Sequence, residues 1–186
     1  MAEQGSLVRL HADYDFEIDW RGFELHPETP PGGMSLGELF GSARIPAMHE
    51  HLQRFALGFG ITDMNPPDHL PNTRRALALA EYARQQGCLE PFRVAAMNAH
   101  WRQQRNLEDD GVLMDLAREV GLDPVPALAA ADSAPMLARV DAMRAEANAA
   151  GVRGIPTFFA GDLEIVGCQP VEVLQRALVA AGAQRR

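Results

Sequence analysis

The chain has 186 residues, 47% of them hydrophobic and 23% charged, enough apolar material for one good core. A net charge of −8 argues against nucleic acid as a main partner, because phosphate binding needs a basic face. No apolar run approaches the roughly 20 residues of a membrane span, and Met1-Ala2-Glu3-Gln4-Gly5 lacks the basic and apolar regions of a secretory signal, so a cytoplasmic address and no membrane partner are expected.

In chain order, the stretch from Leu7 to Ala12 is short and ambiguous. From Tyr14 to Leu25, Phe16, Ile18 and Trp20 alternate with Glu17, Asp19 and Arg21, the period of a strand. The breakers of His26-Pro27-Glu28-Thr29-Pro30-Pro31-Gly32-Gly33 end it. Ser35 to Phe40 reads as a short helix with Ser35 as cap. Pro46 suits the first turn of a second helix, which carries Leu52, Phe55, Ala56 and Phe59 on one side. A proline-rich loop covers Asp63 to Pro71.

Asn72 caps a helix that runs through Gln86, with Ala76, Ala80 and Ala83 on one face and Gly87 as its stop. The next helix spans about Glu90 to Gln104 and gathers Phe92, Ala95, Ala96 and Ala99. Asp109 or Asp110 caps another, where Leu113, Leu116 and Val120 recur at helical spacing until Gly121. Ala127 to Ala130 makes a short turn of helix, and Pro135 to Ala150 a longer one. Two strands follow, Thr157–Ala160 and Leu163–Val166, joined by the hairpin signal Gly161-Asp162. Pro170 opens a terminal helix with Val171, Leu174 and Leu178 inward. The order is strand, a block of helices, strand, strand, helix, which reads as an all-helical insertion in an α/β frame.

Ahead of the hairpin stands Gly154-Ile155-Pro156-Thr157-Phe158. Proline cannot donate to a ladder, so it belongs at the start of its strand, and Ile155 before it is pushed towards an extended conformation. This pattern resembles the cis-proline loop of thioredoxin-fold proteins. With it, Tyr14 to Pro27 resembles the second strand of the DsbA-like family, FrnE-type branch, related to 2-hydroxychromene-2-carboxylate isomerase; Gly22 replaces the proline usual there. Pro71-Asn72-Thr73 and its alanine-rich helix resemble the family's insertion, and Gly167-Cys168-Gln169-Pro170 its last turn, where alanine is more usual than Cys168.

The resemblance implies a thioredoxin-like α/β fold with an all-helical insertion: residues 1–34 and 151–186 form the thioredoxin-like part and residues 35–150 the helical part. It also implies a thiol–disulfide oxidoreductase or isomerase, whose first βα unit carries a CxxC dithiol. That unit and the motif are missing here, because the only cysteines are Cys88 and Cys168. Leu7, Leu10 and Tyr14 fit the tail of the family's first helix. The expectation is therefore an inactive chain that keeps the substrate-side wall, Gly154, Ile155, Pro156 and Thr157, with the Ile155–Pro156 bond cis. The implied partner is a thiol or disulfide substrate, protein or glutathione-like. The alternatives are a glutathione-dependent isomerase or transferase of the hydroxychromene-carboxylate branch, with serine in place of the first redox cysteine, and a non-catalytic binding or dimerising module. Without the central strand the two flanking strands expose unpaired backbone, a route to a homodimer.

The remaining polar signals are weighed against plainer readings. Asn72 is first a cap and, through the resemblance, a groove contact. Cys168 is a candidate lone redox thiol near the end of the sheet. Cys88 reads as an apolar filler. His49 and His51, two apart, diverge on a helix and read as exposed, so no metal is expected. His26 reads as a surface turn, Asp109-Asp110 as a helix cap and Arg74-Arg75 as a solvated face. No cofactor is implied.

Overall fold

The structure, a computed structural model, describes residues 4–186. The chain divides into two compact units: Met1–Arg21 with Ala147–Arg186, and Gly22–Glu146. Residues 22–34 thus group with the helices.

In the first unit, α1 (Gln4–Asp13) resolves the ambiguous N-terminal stretch as a helix. It leads into β1 (Tyr14–Asp15), which pairs antiparallel with the C-terminal β6 (Gln184–Arg185). The N–H of Arg186 extends this pairing by donating to the Asp13 carbonyl at 2.9 Å. β4 (Thr157–Ala160) and β5 (Leu163–Val166) form a hairpin in the expected register, and α9 (Val171–Ala180) follows Pro170. Gly161, with φ of 57°, supplies the left-handed residue that a two-residue hairpin turn demands. The core gathers Leu7, Leu10 and Tyr14 with Ile165, Leu174 and Ala177. Burying a side chain such as Leu10 or Leu174 stabilises by about 1.5–3 kcal/mol.

One expectation is corrected here. The strand expected from Tyr14 to Leu25 is a strand only at Tyr14–Asp15; the residues after it form no ladder. The alternation nonetheless survives in burial. Phe16, Ile18 and Trp20 are half-buried against the core, while Glu17, Asp19 and Arg21 are exposed. Phe16 stacks on His11 with ring centroids 4.0 Å apart, and Trp20 meets Phe158 edge-on at 6.2 Å. The hydrophobic period places the side chains, but a ladder needs a partner strand, and no strand of the described residues pairs with this segment.

The second unit is helical. α2 (Leu36–Phe40), a short 3-10 turn (Ser42–Arg44) and α3 (Ile45–Leu57) come first. Ser35 stands at the start of α2 without a side-chain cap bond. α4 (Arg74–Gln85) packs on α5 (Leu89–Trp101) and α7 (Pro124–Ala131), and α6 (Asp110–Glu119) packs on the same two helices. α8 (Ala134–Ala149) carries the chain back to the first unit. Phe92, Leu79, Leu113 and Leu116 are the largest side chains sealed in this core, among small alanines that let the helices approach closely. α7 is longer than the turn expected at Ala127–Ala130, because Asp123 caps it by accepting from the Val125 N–H at 3.1 Å and Pro124 occupies its first turn. A two-residue bridge between β2 (Met34–Ser35) and β3 (His69–Leu70) was not legible, being too short for any alternation.

The paired arginines also depart from the expected solvated face. Arg75 grips Asp132 with two bonds of 2.7 and 2.9 Å and Asp110 with another of 2.7 Å, and this hydrogen bonding raises its pKa. Arg74 joins Asp141 at 2.7 Å and the buried Glu24 at 3.3 Å, and Arg144 reaches the same Glu24 oxygen at 3.2 Å. Gly22 lies against Leu77: a Cβ there would stand 2.8 Å from Leu77 Cδ2, so the proline that the resemblance led one to expect meets a crowded position.

Candidate functional site

The segment Gly154-Ile155-Pro156-Thr157 forms a loop entering β4. The Ile155–Pro156 bond is cis, and Ile155 is 53% exposed. The Thr157 hydroxyl donates to the Gly154 carbonyl at 2.8 Å and pins the loop. The Pro156 carbonyl accepts from the Gly167 N–H at 2.8 Å, the one bond this pair can make because proline has no N–H to return.

That bond fixes which backbone groups face which way. In a two-residue hairpin the residues flanking the turn, Ala160 and Leu163, exchange hydrogen bonds, and every second pair repeats the pattern. Phe158–Ile165 and Pro156–Gly167 therefore bond inward as well. The N–H and C=O groups of Thr157 and Phe159 consequently point to the other edge of β4, where no strand of the described residues pairs. Phe159 is 52% exposed along that edge. The arrangement can accept an extended chain through main-chain hydrogen bonds, with an exposed Ile155 side chain at its entrance.

Cys168 follows Gly167 in the turn that leads to α9. It is half-buried, and neither it nor Cys88 is disulfide-bonded. Gln169 clamps the same turn by donating to the Val166 carbonyl at 2.7 Å. Cys88 packs at the margin of the helical core.

Asn72 is engaged within the helical unit. Its Oδ1 accepts from the Arg74 N–H at 3.0 Å and its Nδ2 donates to the Thr29 carbonyl at 2.8 Å. It caps α4 from one residue ahead of the cap position, which Thr73 occupies. Asp109 stands at the cap position of α6, but its carboxylate accepts from Asn106 Nδ2 at 3.0 Å instead of from the helix. His26 is exposed beside Glu28, with Nδ1 3.1 Å from its carboxylate. His49 departs from the exposed reading: its side chain is 22% exposed and lies 3.2 Å from Asp68.

The sequence reading passed over a second concave feature, in the helical unit. Pro67, His69, Pro71, His100, Gln104, Arg105 and Asn106 line a cavity of about 170 Å³. A signal for one member was present: His100 falls on the helical face of Phe92 and Ala96, which is buried.

With the fold and the loop described, the class is defined. The chain belongs to the DSBA-like thioredoxin domain family, whose model matches residues 2–179. It is similar to a crystal structure of a probable DsbA oxidoreductase from Streptomyces coelicolor, with 27% identity, a TM-score of 0.77 and coverage of 87% of this chain and 73% of that one. The structure of a 2-hydroxychromene-2-carboxylate isomerase shares the fold, with a TM-score of 0.76 at 22% identity over 96% of this chain and 87% of that one. The uncharacterised protein YwbO of Bacillus subtilis (strain 168) is 25% identical over 167 residues, 88% of this chain and 82% of that protein.

Proposed function

We propose that this chain acts on the substrate side of thiol–disulfide exchange, in the FrnE-type branch of its family, as a holder of extended thiol- or disulfide-bearing peptides. The observation that supports the reading most directly is the outward edge of β4 beginning at Pro156, with the backbone groups of Thr157 and Phe159 turned away from β5. A peptide adds there as a strand, and Gly154, Ile155, Pro156 and Thr157 form the wall it meets. Main-chain pairing is tolerant of sequence, which suits a binder of varied protein substrates.

Turnover is a different matter. Exchange needs one thiolate to attack a disulfide, forming a mixed disulfide and releasing a thiolate, and a second thiol to resolve it. The sequence holds no CxxC, so Cys168 alone can form a mixed disulfide that no neighbouring cysteine in its motif resolves. As it stands, the chain binds and does not turn over. A cytoplasmic setting suits two cysteines that are not disulfide-bonded.

The test has two arms. Insulin reduction with dithiothreitol should proceed at the rate of dithiothreitol alone. Addition of a carboxymethylated insulin B chain should shift the amide resonances of Thr157 and Phe159 in a 1H–15N spectrum. Turnover abolished by Cys168→Ser, or a spectrum that the peptide leaves unchanged, would overturn the reading.

The dimerising alternative is favoured by the same edge. A second copy competes with a peptide for it, and the two occupants differ in their dependence on protein concentration.

A further inference from the structure

The first unit holds a second main-chain edge besides that of β4, and the pairing of β1 with β6 fixes its direction. The Arg186 N–H donates to the Asp13 carbonyl at 2.9 Å, Tyr14 pairs with Arg185, and Asp15 pairs with Gln184. Bonded pairs alternate along an antiparallel ladder, so Asp13 and Asp15 turn their backbone groups to β6 and Tyr14 turns its groups the other way. The chain stays extended beyond the ladder. Burial alternates residue by residue from Tyr14 to Arg21, and Arg21 Nε donates to the Asp19 carboxylate at 2.6 Å, two residues back on the exposed side. Extended residues two apart share a face and a backbone direction. Phe16 and Ile18 therefore aim their N–H and C=O groups away from β6, as Tyr14 does. Among the described residues no main-chain hydrogen bond reaches Phe16, Glu17 or Ile18.

The outward edge of β4 is the counterpart, with the groups of Thr157 and Phe159 turned away from β5. Both edges border one core. Ile18 and Trp20 pack on the cluster of Leu10 and Leu174, as Phe158 and Ala160 do. Trp20 meets Phe158 of β4 edge-on, with ring centroids 6.2 Å apart, so the two segments lie side by side with no ladder between them.

We propose that the gap between residues 16–20 and β4 is a slot for one extended polypeptide segment, which pairs with both walls at once. The inference rests on the peptide-holding reading above and adds the class of substrate. Each wall presents main-chain donors and acceptors at a two-residue repeat, the pattern that an extended backbone matches. A strand seated between the walls stands about 4.7–4.9 Å from each and sets them about 10 Å apart, with the two large rings meeting across that width.

The segment must have both of its own edges free. A strand of a folded protein, a second copy of this chain included, has an edge taken by its own sheet and reaches one wall at most. The slot therefore takes unfolded chain and refuses folded surfaces. Every second side chain of the segment falls on the apolar cluster, and the intervening ones fall on the face of the exposed Glu17 and Asp19. The segment that fits best alternates apolar and polar residues.

Amide hydrogen–deuterium exchange of the full chain, read residue by residue by NMR with and without saturating carboxymethylated insulin B chain, tests the slot. Exchange is expected to slow by about tenfold or more at Phe16 and Ile18 as well as at Thr157 and Phe159, with Glu17 unchanged. Protection at Thr157 and Phe159 alone overturns the slot and leaves the single-edge reading of the function standing; protection at neither wall overturns both. Native insulin, whose B chain is folded, should protect neither Phe16 nor Ile18, and protection there overturns the claim that folded chains are refused. Affinity gives a second readout. Ile18→Pro removes one donor of the wall and should weaken peptide binding about three- to tenfold relative to Ile18→Ala, the worth of one main-chain hydrogen bond. Glu17→Pro should match Glu17→Ala, since that N–H points away from the slot. Equal affinity of Ile18→Pro and Ile18→Ala overturns the proposal, and should Ile18→Pro not fold, the exchange pattern of the wild-type chain decides.

Discussion

The β4 register makes a prediction that separates neighbouring residues. Ala160 bonds inward to Leu163, whereas the Phe159 N–H points to the open edge. Ala160→Pro removes a ladder donor and leaves the Leu163 carbonyl without its partner. A lost hydrogen bond contributes about 0.5–1.5 kcal/mol, and Leu163 is exposed enough for its carbonyl to turn to water, so a cost of about 1 kcal/mol is expected. In a chain of this length that lowers the unfolding midpoint by about 2–4 °C. Phe159→Pro removes no ladder bond, because proline is tolerated where its nitrogen faces out of an edge strand. Its half-exposed side chain is lost as well, so Phe159→Ala is the proper reference. Thermal melts followed by far-ultraviolet circular dichroism should place Phe159→Pro within about 0.5 kcal/mol of Phe159→Ala, the spread usual for substitutions away from critical features. If Phe159→Pro costs as much beyond its reference as Ala160→Pro costs beyond wild type, the outward edge is already engaged and the peptide-docking argument fails.

Further outcomes follow from the charge network, the buried imidazole and the edge. Glu24→Gln leaves Arg74 and Arg144 facing a neutral amide; because both arginines are about one-third exposed, a loss of about 1–3 kcal/mol in urea denaturation is expected, below the cost of breaking a fully buried pair. His100 has a lowered folded-state pKa, so the unfolded chain takes up its proton first; its contribution to stability is full above about pH 6.5, the unfolded value, and is lost as pH falls through the lower folded value. Urea midpoints should therefore drop from pH 7.5 to pH 5 by more in wild type than in His100→Asn, and equal drops would contradict the assignment. If copies pair through β4, light scattering after size exclusion should show mass rising with concentration, and Phe159→Lys should suppress the rise, since a lysine on an open edge blocks strand addition; concentration-independent mass in wild type removes that reading.

The helices were legible wherever local chemistry sets their ends. Gly87 and Gly121, both left-handed, follow α4 and α6, and Pro46 and Pro170 stand at or next to the starts of α3 and α9. The buried faces of α4, α5 and α6 follow directly from the apolar spacing, and the β4–β5 hairpin follows from Gly161-Asp162. What the sequence hid is non-local. The arginine network pairs residues dozens of positions apart, such as Arg75 with Asp132, and no window along the chain reveals such partners. The cavity at His69 and His100 joins a proline-rich loop to a helix end for the same reason. The pairing of Tyr14–Asp15 with Gln184–Arg185 ties the two ends of the described chain through segments too short to carry a period.

Residues 16–21 show why a strand signal and a strand are different things. Phe16, Ile18 and Trp20 face the core at a spacing of two, as the alternation requires. Side-chain burial and ladder formation are separate free-energy terms, and only the second depends on a neighbour. Ring contacts and burial set Phe16 against His11 and Trp20 against Phe158 without a ladder between them. Backbone groups that a ladder does not take up are satisfied elsewhere, by side chains, by water or by another chain. The same holds for the outer edge of β4, whose donors and acceptors repeat at a fixed two-residue spacing. The peptide-holding role proposed above needs such an edge, and an edge that is open to a peptide is equally open to a second copy of the chain. Charge placement does not discriminate between the two: Asp19 and Arg21 are exposed and meet each other at 2.6 Å, so they present a neutral pair and no repulsion to an incoming strand. Occupancy of the edge is then decided by concentration and by the side chains of the incomer, of which the exposed Ile155 and Phe159 favour apolar ones.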